Sequence, residues 1–143
     1  MNEFAIFFVE ILAFSFFACA QAEVEGKYGG GGKHAKFFQL GPVKIRRYHL
    51  FTNFIAIPLF ILLAMLAAGF SWRLLGVLVS GGFIGGLLLD FVWFVVNPHY
   101  GVRKFNSKDA YWLKWWKFGR FELPYFYVTN PIVAIAVWLL LVY

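Results

Sequence analysis

A single cysteine, Cys19, leaves this chain of 143 residues without an internal disulfide framework or a multi-cysteine metal site. Charge is equally scarce. Only 14% of residues are charged, against about 25% in an average soluble domain. Histidine occurs three times, as His34, His49 and His99, and no apolar segment carries His-x-x-x-His or Glu-x-x-His. A helical metal motif of the usual kind is therefore excluded. Neither Cys19 nor Ser80 has a base beside it in sequence, which leaves nucleophilic catalysis without support.

In place of these there is apolar surface, 62% of residues, with 22% aromatic. A chain this short cannot bury that much in a core of its own, so lipid is the expected solvent. Four apolar segments stand out, at residues 4–22, 48–69, 74–96 and 124–143. Each approaches the roughly 20 residues a helix needs to cross about 30 Å of hydrocarbon. The expected fold is all-α and integral to the membrane: one domain over residues 1–143 with four transmembrane helices, the second and third forming a tight antiparallel hairpin. The first segment ends in small residues, Ala18 to Ala22, as a secretion signal does. It is preceded by Glu3 and by no Lys or Arg, the wrong sign for a signal, and is expected to be a span.

Charge placement predicts orientation. Lys27, Lys33, Lys36, Lys44, Arg46 and Arg47 fall in the first long connection. Arg103, Lys104, Lys108, Lys114, Lys117 and Arg120 fall in the second. Only Arg73 lies opposite, a division that places both long connections in the cytoplasm and both termini outside. The net charge of +6 then points to anionic headgroups at the cytoplasmic face and not to nucleic acid.

Within the first connection Gly29 to Gly32 precede Lys33. Lys27 and His34 stand where a phosphate loop needs Gly and Ser or Thr, so the run reads as a hinge. Gly41-Pro42 signals a turn. In the second connection Asn97-Pro98 stops the third helix. The segment Asp109 to Phe121 separates Lys114 and Lys117 from Trp112 and Trp116, which predicts a short amphipathic helix lying in the interface. Trp112, Trp115 and Trp116 would anchor the cytoplasmic side and Trp72 the outer one.

Acids inside the spans carry the functional expectation, because each costs about 2.5–3.5 kcal/mol at a helix centre. Asp90 continues the small-residue stripe Gly82-Gly86 and should face another helix, about 10 Å inside the cytoplasmic boundary. Glu10 should lie deeper, at roughly 18 Å. His49 and Asn53 share a face of the second helix, and Pro58 and Pro131 free backbone carbonyls that favour a cavity. Asp90, Glu10 and His49 are the candidate catalytic or proton-carrying groups. Asn53, Asn97, Tyr100 and Tyr127 are candidate ligand contacts. Glu23 (or Glu25), His49, Asp90 and His99 would suit a divalent metal. Haem is disfavoured, because His34 and His99 lie outside the spans. The foremost expectation is a polar intramembrane site, open to the cytoplasm, that binds or transforms a lipid-soluble molecule. The alternatives are a non-catalytic subunit of a larger membrane complex and a small proton- or cation-coupled transporter working as a homo-oligomer.

Overall fold

Short polar side chains set where the helices begin. Asn2 accepts from the backbone N–H of Ala5 at 3.1 Å and opens α1, Glu3–Glu25. A three-residue 3₁₀ turn, Gly26–Tyr28, follows α1. Ser71 accepts from Leu74 at 3.3 Å and opens α3, Trp72–Val96, which stops at Asn97-Pro98. Between them α2 runs from Arg47 to Ala68 and ends at Gly69, whose φ of 84° no residue with a side chain adopts readily. The computed structural model describes residues 2–29 and 36–143. From position 30 onward the glycine run expected to act as a hinge, with Lys33 and His34, lies outside them.

Three helices, α1, α2 and α3, are long and apolar enough to cross a membrane, and a shorter apolar helix, α4, spans Phe126–Leu141. The fourth segment is thus shorter than expected, because residues up to Pro124 are extended. They form β4, Phe121–Pro124, paired antiparallel with β3, Trp115–Phe118. This hairpin replaces the interfacial helix expected over Asp109 to Phe121. Gly119, at φ 61°, supplies the two-residue turn, and the Trp-Trp-Lys-Phe strand is rich in strand-forming aromatics. Upstream, the Asn106 side chain accepts from the N–H groups of Lys108 and Asp109, which turns the chain before a helix can start. In the first connection β1, Phe37–Leu40, pairs with β2, Val43–Arg46, around the expected Gly41-Pro42 turn.

The helices α1 and α3 run parallel, in a register legible in their contacts. Glu3 meets Arg73 at 2.8 Å, Glu10 packs on Gly81, Phe14 packs on Gly85, and Asn97 reaches the Gly26 carbonyl at 3.0 Å. Glycine lets the two backbones approach closely enough for those side chains to fill the space. On another side α4 runs antiparallel to α3. Gly76 lies against Leu141 and Val142, Ser80 donates to the Ala134 carbonyl at 3.0 Å, and Tyr127 donates to the Leu87 carbonyl at 3.1 Å. Both long connections therefore leave the same end of the bundle.

The helix pair α2–α3 is a hairpin but not a tight one. Met65 with Leu74 and Leu78 forms its apolar contact, close to the connecting turn. Towards its N-terminal end α2 diverges from α1 and α3. A wide π-helical stretch, Leu50–Ala56, precedes Pro58 there, and Ile57 donates to Thr52 five residues back. Proline has no N–H to continue the normal ladder, so the turn before it expands.

Candidate functional site

The divergence of α2 opens a cavity of about 620 Å³ whose polar lining comes from every helix. Gln21 and Glu25 contribute from α1, His49 and Asn53 from α2, Asp90 from α3 and Asn130 from α4, with Arg46 at the end of β2. Gly82 and Gly86 lie on the same face of α3 as Asp90, one and two turns towards its N-terminus, and leave the floor open. Among the described residues no neighbour stands within 4 Å of a Cβ built on Gly86. The stripe that predicts the direction of Asp90 thus borders a void, while its sister stripe, Gly81-Gly85, makes the close contact with α1.

An aromatic cluster lines the cavity at the end where the long connections emerge. Trp93 and Trp112 line the void, Trp93 lies 4.8 Å from the Tyr100 ring, and Phe94 lies 5.1 Å from Phe105. Ala18 and Ala22 of α1 are small enough to receive the Trp93 indole. Trp112 and Trp115 therefore pack inward on the end of α3. Trp115 also donates to the Ala110 carbonyl at 2.9 Å, and Trp116 lies 4.8 Å from Tyr125. Trp72, at the opposite end, is exposed beside Phe70.

A second void of about 540 Å³ adjoins the first, sharing Phe14, Ile57, Ile61 and Leu78 in its walls. Its lining is apolar apart from Glu10 and Thr52. Glu10 is therefore separated from Asp90: the two acids face neighbouring chambers of one cleft and not a single point.

Of the expected site residues, Asp90, His49 and Asn53 share the polar chamber. Asn97, Tyr100 and Tyr127 instead tie the bundle together. Asn97 is fully buried, donates to Gly26 and accepts from the His99 N–H at 2.9 Å. Tyr100 donates to the Lys27 carbonyl at 3.4 Å, and partial withdrawal from water raises its phenol above the usual range. Glu23 and His99 are exposed and line neither chamber. Among the described residues no three His, Cys, Asp or Glu side chains converge to hold a metal ion, so the metal set is not assembled.

Gln21, Arg46 and Asn130 join the site without having been candidates, and Glu25 enters it in place of Glu23. Gln21 and Glu25 are four apart, one helical turn, and only that spacing marks them as a pair. Neither a protein-family model, nor a curated protein, nor a solved structure matches this chain.

Proposed function

We propose that this chain is an integral membrane protein that binds an amphipathic, lipid-soluble molecule in the cleft between α2 and the α1–α3 pair. One observation carries the reading: a polar chamber lined from four helices adjoins an apolar chamber of similar size. Together they match a molecule with a polar head and an apolar body, the usual composition of small-molecule sites. In this reading both long connections and the polar chamber lie on the cytoplasmic side, and the positive charges of the connections rest on anionic headgroups. Glu25 and Asp90 accept, Arg46 donates, and His49, Asn53, Gln21 and Asn130 do either according to the head presented. A second reading, a subunit of a larger complex, draws on α2, whose apolar residues Leu59, Phe60, Leu63 and Leu66 stay exposed.

Purification in mild detergent followed by lipid extraction and mass spectrometry tests the first reading. A single retained species, near one per chain, is expected from the native protein. Asp90→Asn and His49→Ala should fold normally and lose about tenfold or more of it, as loss of one or two charge-assisted contacts requires. Random co-purifying lipid, identical in the variants, would reject the proposal.

A further inference from the structure

The apolar chamber contains a carboxyl group for which binding an apolar tail has no use. Glu10 reaches from α1 across Gly81, so closely that a Cβ there would collide with its Oε2 atom. That oxygen is sealed against Gly81 and has no hydrogen-bond partner among the described residues, so Oε1 is the atom left to meet a ligand. Ala13, Phe14, Phe60 and Leu78 surround the chamber, and no other charged side chain among the described residues lines it. Thr52, the remaining polar group, already donates to the Tyr48 carbonyl at 2.9 Å. A leucine would fill the same volume without placing an unsatisfied polar group in apolar surroundings, which is unfavourable. The arrangement is explained if a partner arrives with the ligand.

The partner's chemistry follows from the walls. An ammonium group would need an ionised carboxylate in an apolar chamber. A hydroxyl serves either form, donating to the carboxylate or accepting from the acid. Gly81, against which Glu10 packs, and Asp90 are separated by roughly 14 Å along α3 at about 1.5 Å per residue. We propose that the cleft takes a lipid-soluble molecule with a polar group at each end of an apolar body, and that Glu10 binds a hydroxyl at the end remote from Asp90. This rests on the reading of the cleft as a ligand site.

Long-chain α,ω-diols and mono-alcohols of equal chain length separate the two ideas. Each is titrated into the full chain in nanodiscs, against empty nanodiscs, while the fluorescence of the cavity-lining Trp93 and Trp112 is followed. The native protein should prefer the diol about tenfold, the value of one net hydrogen bond. Glu10→Leu should abolish that preference and keep mono-alcohol binding, whereas Glu10→Gln, which still donates and accepts, should retain most of it. Equal affinity of the native chain for diol and mono-alcohol overturns the role of Glu10 and leaves the cleft as a binding site. A preference that survives Glu10→Leu overturns it too. Binding of neither probe overturns the cleft reading along with it.

Discussion

Two glycines one residue apart on α3 face different surroundings, and this separates packing from function at the level of single residues. Gly85 lies under the Phe14 ring, so close that a methyl group has nowhere to go. Gly86 meets nothing within 4 Å and borders the polar chamber. Gly85→Ala should destabilise the α1–α3 pair by about 1–3 kcal/mol, the usual range for overpacking. Gly86→Ala should be neutral or slightly stabilising, since alanine is the better helix former by up to about 1 kcal/mol. Thermal unfolding of the two variants in the same detergent checks this, and an equal loss in both would show that the glycines act through helix flexibility alone. Gly86→Ala should nonetheless weaken ligand retention, because its methyl group enters the void.

Among the elements, the β3–β4 hairpin shows most clearly what local spacing leaves undetermined. Trp112, Lys114, Trp116 and Lys117 satisfy a helical repeat, yet Trp115 to Phe118 equally fit the two-residue repeat of a strand. The choice is made by Gly119, by Pro124 and by a contact across the connection. Glu122 accepts from the Ser107 backbone N–H at 2.7 Å and from its hydroxyl at 3.0 Å, with Lys117 opposite it at 3.5 Å. The bonds from Ser107 hold the Glu122 carboxyl below the usual carboxylate range, with a smaller contribution from Lys117. A depressed value means that the folded hairpin gains stability above the ordinary glutamate range, about pH 4.3, and loses it as pH falls through the lower folded value. NMR titration of Glu122 in micelles should show the depressed midpoint, and Ser107→Ala should return it towards the ordinary value. A midpoint unmoved by Ser107→Ala would assign the shift to the Ser107 backbone N–H, which alanine keeps, together with Lys117. By contrast the end of α3 was legible, because Asn97-Pro98 acts through neighbours in sequence. The helical repeat also puts Asp90 on the Gly82-Gly86 face, but that this face borders a void and not a closely packed helix has no local signature. That Glu25 and not Glu23 turns inward depends on how α1 lies along α3, and the separation of Glu10 from Asp90 depends on where α2 diverges. Both are set by contacts between distant segments and have no local signature.

Across the whole molecule, charge and architecture agree on one arrangement. The parallel α1–α3 pair, with α4 antiparallel, brings the ends that carry twelve of the thirteen Lys and Arg residues together. Arg73, the exception, is held at 2.8 Å by Glu3 at the far end, so its positive charge is offset there. A positive-inside bias acting on this charge distribution would place both long connections in the cytoplasm, as proposed. Single cysteines placed at Lys36, Arg73 and Lys108 in a Cys19→Ser background should react with a membrane-impermeant maleimide from two different sides. Lys36 and Lys108 are expected to label only after the cytoplasmic face is opened, and Arg73 in intact cells. Agreement of Lys36 with Lys108 and their opposition to Arg73 would require α2 and α3 to cross the bilayer as a pair. Labelling of Lys36 and Lys108 from opposite sides would mean an odd number of crossings between them, and the proposed cytoplasmic placement of the polar chamber would fall.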